Sequence, residues 1–265
     1  MIKILRSLHQ INLKQSYGLF GWFNKKEEKV DDSAYDPATW KQLQPAFNKL
    51  KEENQNKPKL LPIKKKQYSD KLTVVMEIDE VLVYSFIPDP KDMFMNAPLR
   101  QHDFYIDLPE FDNFVHVYKR EQLDDFFEYF LNQTEPVIWS KGQRIYVERV
   151  LEQLCPQFPK DHIFCQEQCN LVEEDDLEDY FKDLDLLGRD RKKIVYVDSK
   201  PLSFWTTGDN SIPVRLFVAD NTDTKDDLQR LMNILERLKK ENDVRDYLKK
   251  IYKVEETLRE TKFIE

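Results

Sequence analysis

A three-layer α/β fold built on a parallel sheet is what this chain predicts, and three observations predict it. Short apolar strand patterns alternate with helical patterns from Lys71 to about Ala219, as in a parallel sheet covered on both faces. The segment Thr73-Val74-Val75-Met76-Glu77-Ile78-Asp79 runs as a buried strand straight into carboxylates. In open parallel sheets, reactive groups collect beyond the carboxyl ends of the strands. Finally, 40% hydrophobic residues over 265 positions are enough for a full core, so one domain with extensions is expected.

The elements follow in chain order. Residues 1–26 hold Lys3, Arg6, Lys14, Lys25 and Lys26 and no acid, with Ile4, Leu8 and Ile11 on one helical face. A basic, acid-free, amphipathic start reads as a mitochondrial targeting segment. Residues 27–69 read as an extended polar arm containing Pro37, Pro45, Pro58 and Pro62. One short helix is expected to start near Asp36-Pro37, since proline suits a first turn. The Lys-rich run over 49–66 reads as a solvated connector or an arm around a neighbour.

The domain itself spans 70–240. Strands are expected at Leu72–Ile78, Pro136–Trp139, His162–Cys165, Lys193–Val197 and Ile212–Val218. Phe104–Leu108 and Phe114–Tyr118 read as a small inserted sheet. Helices are expected at Glu121–Leu131, with Leu123, Phe126, Phe127 and Phe130 as its apolar face, and at Arg144–Leu154. Asp226–Lys240 carries the stripe Leu228, Leu231, Leu235 and Leu238. Beyond the domain, 241–265 reads as a C-terminal helix over Asn242–Leu258, whose stripe of Tyr247, Leu248, Ile251 and Val254 offers a partner surface.

Composition narrows the function classes. A net charge of −8 argues against a general nucleic-acid binder. Only five glycines are present and no glycine-rich phosphate loop occurs. No run of about 18 apolar residues is found, so no transmembrane helix is expected and any membrane association is peripheral. Cys155, Cys165 and Cys169 are too few for a disulfide framework. Cys165 and Cys169 have helix-face spacing, but no further Cys pair or His completes a zinc site. Buried thiols in a reducing compartment are the expectation.

Strand ends carry the candidate chemistry. Glu77 and Asp79 follow the first strand, Ser140 follows the Pro136–Trp139 strand, and Asp198 closes the Lys193–Val197 strand. Lys182 stands in a loop-helix segment before that last strand. Phosphoryl transfer through a carboxylate needs this inventory: a carboxylate attacks phosphorus, and a second acid protonates the leaving oxygen. A hydroxyl and a lysine hold the phosphate, and a further acid binds magnesium.

These residues carry a resemblance. Glu77-Ile78-Asp79-Glu80-Val81-Leu82-Val83-Tyr84-Ser85 resembles the opening motif DLDETLVHS of haloacid dehalogenase-like phosphatases of the RNA-polymerase C-terminal-domain type, the NLI-interacting-factor family. Tyr180-Phe181-Lys182-Asp183-Leu184 with Leu187-Gly188-Arg189-Asp190 resembles that family's VKDLSLLGRD. Ile194-Val195-Tyr196-Val197-Asp198-Ser199-Lys200-Pro201 resembles VIIVDNSP, and Asn210-Ser211-Ile212-Pro213 resembles NAIPI. Val137-Ile138-Trp139-Ser140 stands where the family has a strand ending in a phosphate-binding hydroxyl. The likeness covers about residues 70–240 and implies a haloacid dehalogenase-like Rossmannoid sheet with a small inserted β-sheet.

The chain departs from the pattern at the chemistry. Glu77 stands where the resemblance implies the nucleophilic Asp, and its extra methylene displaces the carboxylate; an error near 1 Å can cost ~100-fold in rate. Val81 replaces a Thr, Ser199 replaces the acid or amide after Asp198, and the family's Arg-Pro-Gly turn keeps only Arg120, followed by Glu121-Gln122. The positions Glu77, Asp79, Ser140, Lys182 and Asp198 are thus expected to be vestigial, with no catalytic, cofactor or metal role. The branch that lost the first Asp is the presequence receptor of the mitochondrial inner-membrane translocase, which carries a membrane-spanning helix that this sequence lacks.

The expected function is a catalytically inactive, phosphatase-like accessory or scaffold subunit of a mitochondrial assembly, in the matrix or at the inner membrane. A respiratory-chain complex, ATP synthase or a ribosome would each fit, with protein subunits as partners and no specific nucleic acid. A presequence-binding import factor and an active magnesium-dependent protein phosphatase are the alternatives.

Overall fold

The structure is a computed structural model. It describes residues 37–87, 98, 100–109, 113–174, 177–219 and 225–260; the targeting-like segment 1–26 lies outside them. The described strands are β1 (Thr73–Met76), β2 (Val83–Phe86), β3 (Phe104–Leu108), β4 (Asn113–Lys119), β5 (Glu135–Trp139), β6 (Ile163–Phe164), β7 (Asn170–Glu174), β8 (Leu177–Phe181), β9 (Ile194–Asp198) and β10 (Ser211–Pro213). The described α-helices are α1 (Pro37–Asn54), α2 (Leu123–Gln133), α3 (Arg144–Leu154), α4 (Asp227–Leu238), α5 (Val244–Tyr252) and α6 (Val254–Glu260).

A five-stranded parallel sheet in the order β10-β9-β1-β5-β6 forms the middle layer. Its strands are apolar on both faces, and successive side chains point to opposite sides. Val74 and Met76 of β1, Ile138 of β5 and Val197 of β9 therefore join one core, with Phe126 and Phe130 of α2, Val147 of α3, Leu231 and Leu235 of α4 and Leu248 of α5. Val75, Val137, Trp139 and Tyr196 join the other core, with Phe47 of α1, Phe181 of β8, and Val254 and Leu258 of α6. The three layers are those expected.

The strands expected in the central sheet all form, with shifted ends. Ile212–Val218 contracts to Ser211–Pro213 on the sheet edge, where Pro213 has no N–H to extend a ladder. The inserted sheet has a third strand that was not expected: β2 pairs antiparallel with β4, giving the order β2-β4-β3. A second unexpected element is the β7–β8 hairpin. The expected helix Glu121–Leu131 begins at Leu123, because Gln122 takes a left-handed conformation with φ 61°.

Two expectations about the extensions are corrected. The helix expected near Asp36-Pro37 forms with Pro37 in its first turn, but α1 runs 18 residues and is not short. Phe47 packs with its ring 5.0 Å from Trp205 and 6.1 Å from Phe181. The buried Asn54 amide donates to Asn170 Oδ1 and Asp183 Oδ2, both at 3.0 Å. Farther along, Leu60 N–H donates to Leu186 C=O at 2.8 Å, and Leu61 and Tyr68 are buried. The lysines of 49–66 hide a sparse set of apolar anchors that bind this chain's own core. At the other end, the helix expected over Asn242–Leu258 breaks at Lys253, which has φ 52°. Its apolar residues Val244, Leu248, Val254 and Leu258 are buried in the domain; of the expected partner stripe, Ile251 is left exposed.

Candidate functional site

The strand order reverses at β1, with β5 and β6 to one side and β9 and β10 to the other. Such a switch point opens a crevice above the carboxyl ends of the strands. Met76 is in register with both Ile138 and Val197. The residues one step on, Glu77 and Asp198, together with Ser140 just past β5, are therefore set side by side at the carboxyl edge of the sheet, all buried. Lys182 reaches the same place from the loop between β8 and the 3-10 helix Leu184–Leu187, the loop-helix segment expected.

Glu77 is buried and both of its oxygens are occupied. Oε2 accepts from Lys182 Nζ at 2.5 Å and from Lys141 N–H at 3.3 Å, and Oε1 accepts from Ile78 N–H at 2.9 Å. Lys182 also donates to the Tyr196 hydroxyl at 3.1 Å. Burial would lower the Lys182 pKa, but the charges of Glu77 and Asp198 outweigh it and hold the ammonium above its ordinary value.

Asp198 is equally engaged. Its Oδ1 accepts from the N–H groups of Ser199 at 2.7 Å and Lys200 at 3.0 Å, and its Oδ2 accepts from the Tyr196 hydroxyl. Burial pushes its pKa up, yet the Lys182 charge and the Tyr196 hydroxyl win and keep it below the usual carboxylate value. Ser140 is buried; its Oγ accepts from Gly142 N–H at 2.9 Å and its N–H donates to Phe164 C=O at 2.9 Å.

Asp79 is turned toward α3. Its Oδ1 accepts from the Tyr146 hydroxyl, and Ser85 Oγ stands 2.6 Å from the same hydroxyl. Burial first, and the Glu77 charge second, push the Asp79 carboxyl up to about 7. Room for the Tyr146 ring depends on Gly142, where a Cβ would meet Tyr146 Cδ1 at 3.0 Å. The residues named from sequence thus gather in one place. Sequence reasoning missed Lys141, Tyr146, Tyr196 and Lys200. Two of these had a signal: Tyr196 and Lys200 are the positions where VIIVDNSP reads Ile and Ser.

The chain is similar to known proteins. A sequence model described as NLI interacting factor-like phosphatase matches residues 72–245. The chain belongs to that family. Among its relatives, carboxy-terminal domain RNA polymerase II polypeptide A small phosphatase 1 of Homo sapiens is 31% identical over 209 residues, covering 76% of this chain and 74% of that protein. CTD small phosphatase-like protein 2 of Dictyostelium discoideum is 29% identical over 194 residues, 72% of this chain but 31% of the relative. Phosphatase Herzog of Drosophila melanogaster is 31% identical, with 64% and 45% covered. The match therefore spans less than half the length of two of these three. A solved structure of Fcp1, an essential RNA polymerase II CTD phosphatase, aligns with a TM-score of 0.43 at 16% identity, over 67% of this chain and 52% of that one.

The NLI-interacting-factor chemistry implies magnesium, and the residues present do not fit it. Hard divalent cations need free oxygen ligands. Glu77 and Asp198 each already accept three protein hydrogen bonds out of about four lone-pair sites, and Ser199 offers a neutral hydroxyl. Lys200 places its Nζ 3.4 Å from Glu80 Oε2. At an effective dielectric of ~20, two unit charges ~4 Å apart repel by ~4 kcal/mol, and a divalent ion by about twice that. Among the described residues no group of three His, Cys, Asp or Glu is arranged to hold a metal. Cys155 and Cys165 are buried and Cys169 is half-buried, with burial pushing the Cys169 thiol up to about 11.

Proposed function

We propose that this member of the NLI-interacting-factor family is a phosphatase-like protein without phosphatase activity, serving as an accessory or scaffold subunit of a mitochondrial multiprotein complex. The observation that carries the first half is the closed pair between Glu77 Oε2 and Lys182 Nζ. A nucleophile must present a free carboxylate oxygen to phosphorus. Here the longer side chain ends in a buried ion pair through Oε2, and Oε1 accepts the Ile78 N–H.

The second half rests on the basic, acid-free residues 1–26 and on the absence, among the described residues, of a helix long and apolar enough to cross a membrane. The test is separation of native mitochondrial complexes on a non-denaturing gel with the tagged chain followed by immunodetection. Migration with a large assembly is expected. Exclusion of the chain from mitochondria, or migration only as a monomer, would defeat the proposal.

One observation favours a second reading, an active magnesium-dependent phosphatase. A carboxyl with a pKa of about 7 at Asp79 is what a general acid requires at neutral pH, and the relatives carry phosphatase in their names. In this chain that carboxyl is bound to Tyr146, and turnover of a generic phosphate ester separates the readings.

A further inference from the structure

We propose that the Lys200 ammonium is the resident cation of the carboxylate cluster, occupying by charge the place of a divalent ion and making the crevice refractory to magnesium. Two lysines serve the carboxylates here, Lys182 facing Glu77 and Lys200 facing Glu80. Lys182 is spent on Glu77. Glu80 is buried, and its Oε2 makes no hydrogen bond among the described residues; the charge that faces it is Lys200 Nζ at 3.4 Å.

The chain fixes both ends of this contact. On one side, Asp198 Oδ1 accepts the N–H of Ser199 and of Lys200. That tight turn after β9 determines where the Lys200 side chain starts. On the other side, Glu80 sits in the left-handed region with φ 64°, a conformation that persists in a non-glycine residue only where its surroundings enforce it. Its N–H donates to Val83 C=O at 2.6 Å, while its C=O accepts from Phe217 N–H at 2.9 Å and from the buried Arg120 Nη2 at 3.1 Å. Two rigid backbone segments thus aim a carboxylate and an ammonium at each other. Glu80, Asp198, Glu77 and Asp79 all act to keep Lys200 charged, against the effect of burial.

The ammonium also explains how Ser199 is tolerated. With a lysine supplying positive charge, no acid or amide is needed at that position to complete an oxygen shell, and Ser199 Oγ is left buried without a hydrogen-bond partner among the described residues. Removing the ammonium leaves the Glu80 carboxylate without the cation that faces it, and that oxygen is the one a divalent ion could then take.

The inference deepens the reading of a silent crevice, and the two fail separately. Ester turnover would defeat the silent crevice, whereas magnesium binding by a chain with no turnover would defeat the resident lysine alone. The experiment titrates Mn²⁺ and Mg²⁺ into the full chain and into Lys200→Ser, Lys200→Met and Lys200→Arg, read by calorimetry and by the Mn²⁺ paramagnetic signal. The parent and Lys200→Arg are expected to bind no ion saturably at millimolar concentration. The two neutral variants are expected to gain at least about tenfold in affinity. Saturable binding by the parent, or no gain in a folded neutral variant, overturns the proposal. Should both neutral variants fail to fold, thermal unfolding of the parent decides. No rise in Tm with Mg²⁺ over Na⁺ at matched ionic strength is expected, and a rise that Glu80→Gln abolishes overturns the proposal.

Discussion

Lys182 Nζ stands 2.5 Å from Glu77 Oε2, with both side chains almost wholly removed from solvent. Breaking one side of such a pair leaves an uncompensated buried charge, which costs ~3–5 kcal/mol. Lys182→Met should therefore lower stability in urea denaturation by about that amount. The double variant Glu77→Leu, Lys182→Met should recover most of the loss, since a buried pair exchanged for apolar residues is often neutral. Equal stability of Lys182→Met and the parent would show that the pair is not formed.

The Arg120 guanidinium is the next buried charge to matter. It donates to Asp227 Oδ2 at 2.9 Å, while Arg215 bonds the same carboxylate from a more exposed position. Nη2 of Arg120 also ties Glu80 C=O and Arg215 C=O together. Arg120→Met should cost ~3 kcal/mol or more, and Arg120→Lys should not rescue it, because an ammonium cannot reproduce a fork of this geometry. Thermal unfolding of the two variants checks both statements.

Asp79 makes a pH prediction of definite sign. Its carboxyl is raised from 3.8 to about 7 in the fold, so between those values the folded state holds a proton that the unfolded chain has released. Stability from this group is fully present below its unfolded pKa and is lost as pH rises through about 7. Glu80, raised by burial, acts in the same direction. Asp198, held below its ordinary value, acts in the opposite one and loses stability only as the solution becomes strongly acidic. The urea midpoint should fall between about pH 5 and pH 7.5, and Asp79→Asn should flatten that fall. An unchanged slope in the variant would assign it to another group.

Phe47 tests whether the N-terminal helix belongs to the domain. Its ring is wedged between Phe181 and Trp205, and Phe→Ala in a core costs ~3–5 kcal/mol. Phe47→Ala should destabilise the whole domain in a single transition. Stability equal to the parent would mean that α1 leaves the core without consequence.

The sequence carried the central architecture because burial on both faces makes β1, β5 and β9 continuous apolar runs, and their ends deliver Glu77, Ser140 and Asp198. Elements held by pairing and by special backbone angles were less legible. Strands β7 and β8 carry Glu173, Glu174, Glu178 and Asp179, an acidic stretch with no strand alternation to betray it. Strand β2 was hidden inside the string that carried the resemblance. The break at Lys253 needs a left-handed residue that composition does not mark. At the site, Lys182 and Asp198 were readable as residue types in order. That Tyr146 reaches Asp79 from a helix 67 positions on depends on where α3 docks, which no local pattern encodes. α1 was underestimated for a similar reason: Phe47 and Asn54 are isolated anchors in a lysine-rich stretch, and only their partners on β7, β8 and the Trp205 loop reveal them.

No phosphoryl chemistry is expected from the Glu77 carboxylate. The most direct measurement is hydrolysis of p-nitrophenyl phosphate by the purified chain with and without Mg²⁺, beside Glu77→Ala. Parent and variant are expected to release phosphate at the same background rate in both conditions. Magnesium-dependent turnover by the parent that disappears in Glu77→Ala would contradict that expectation.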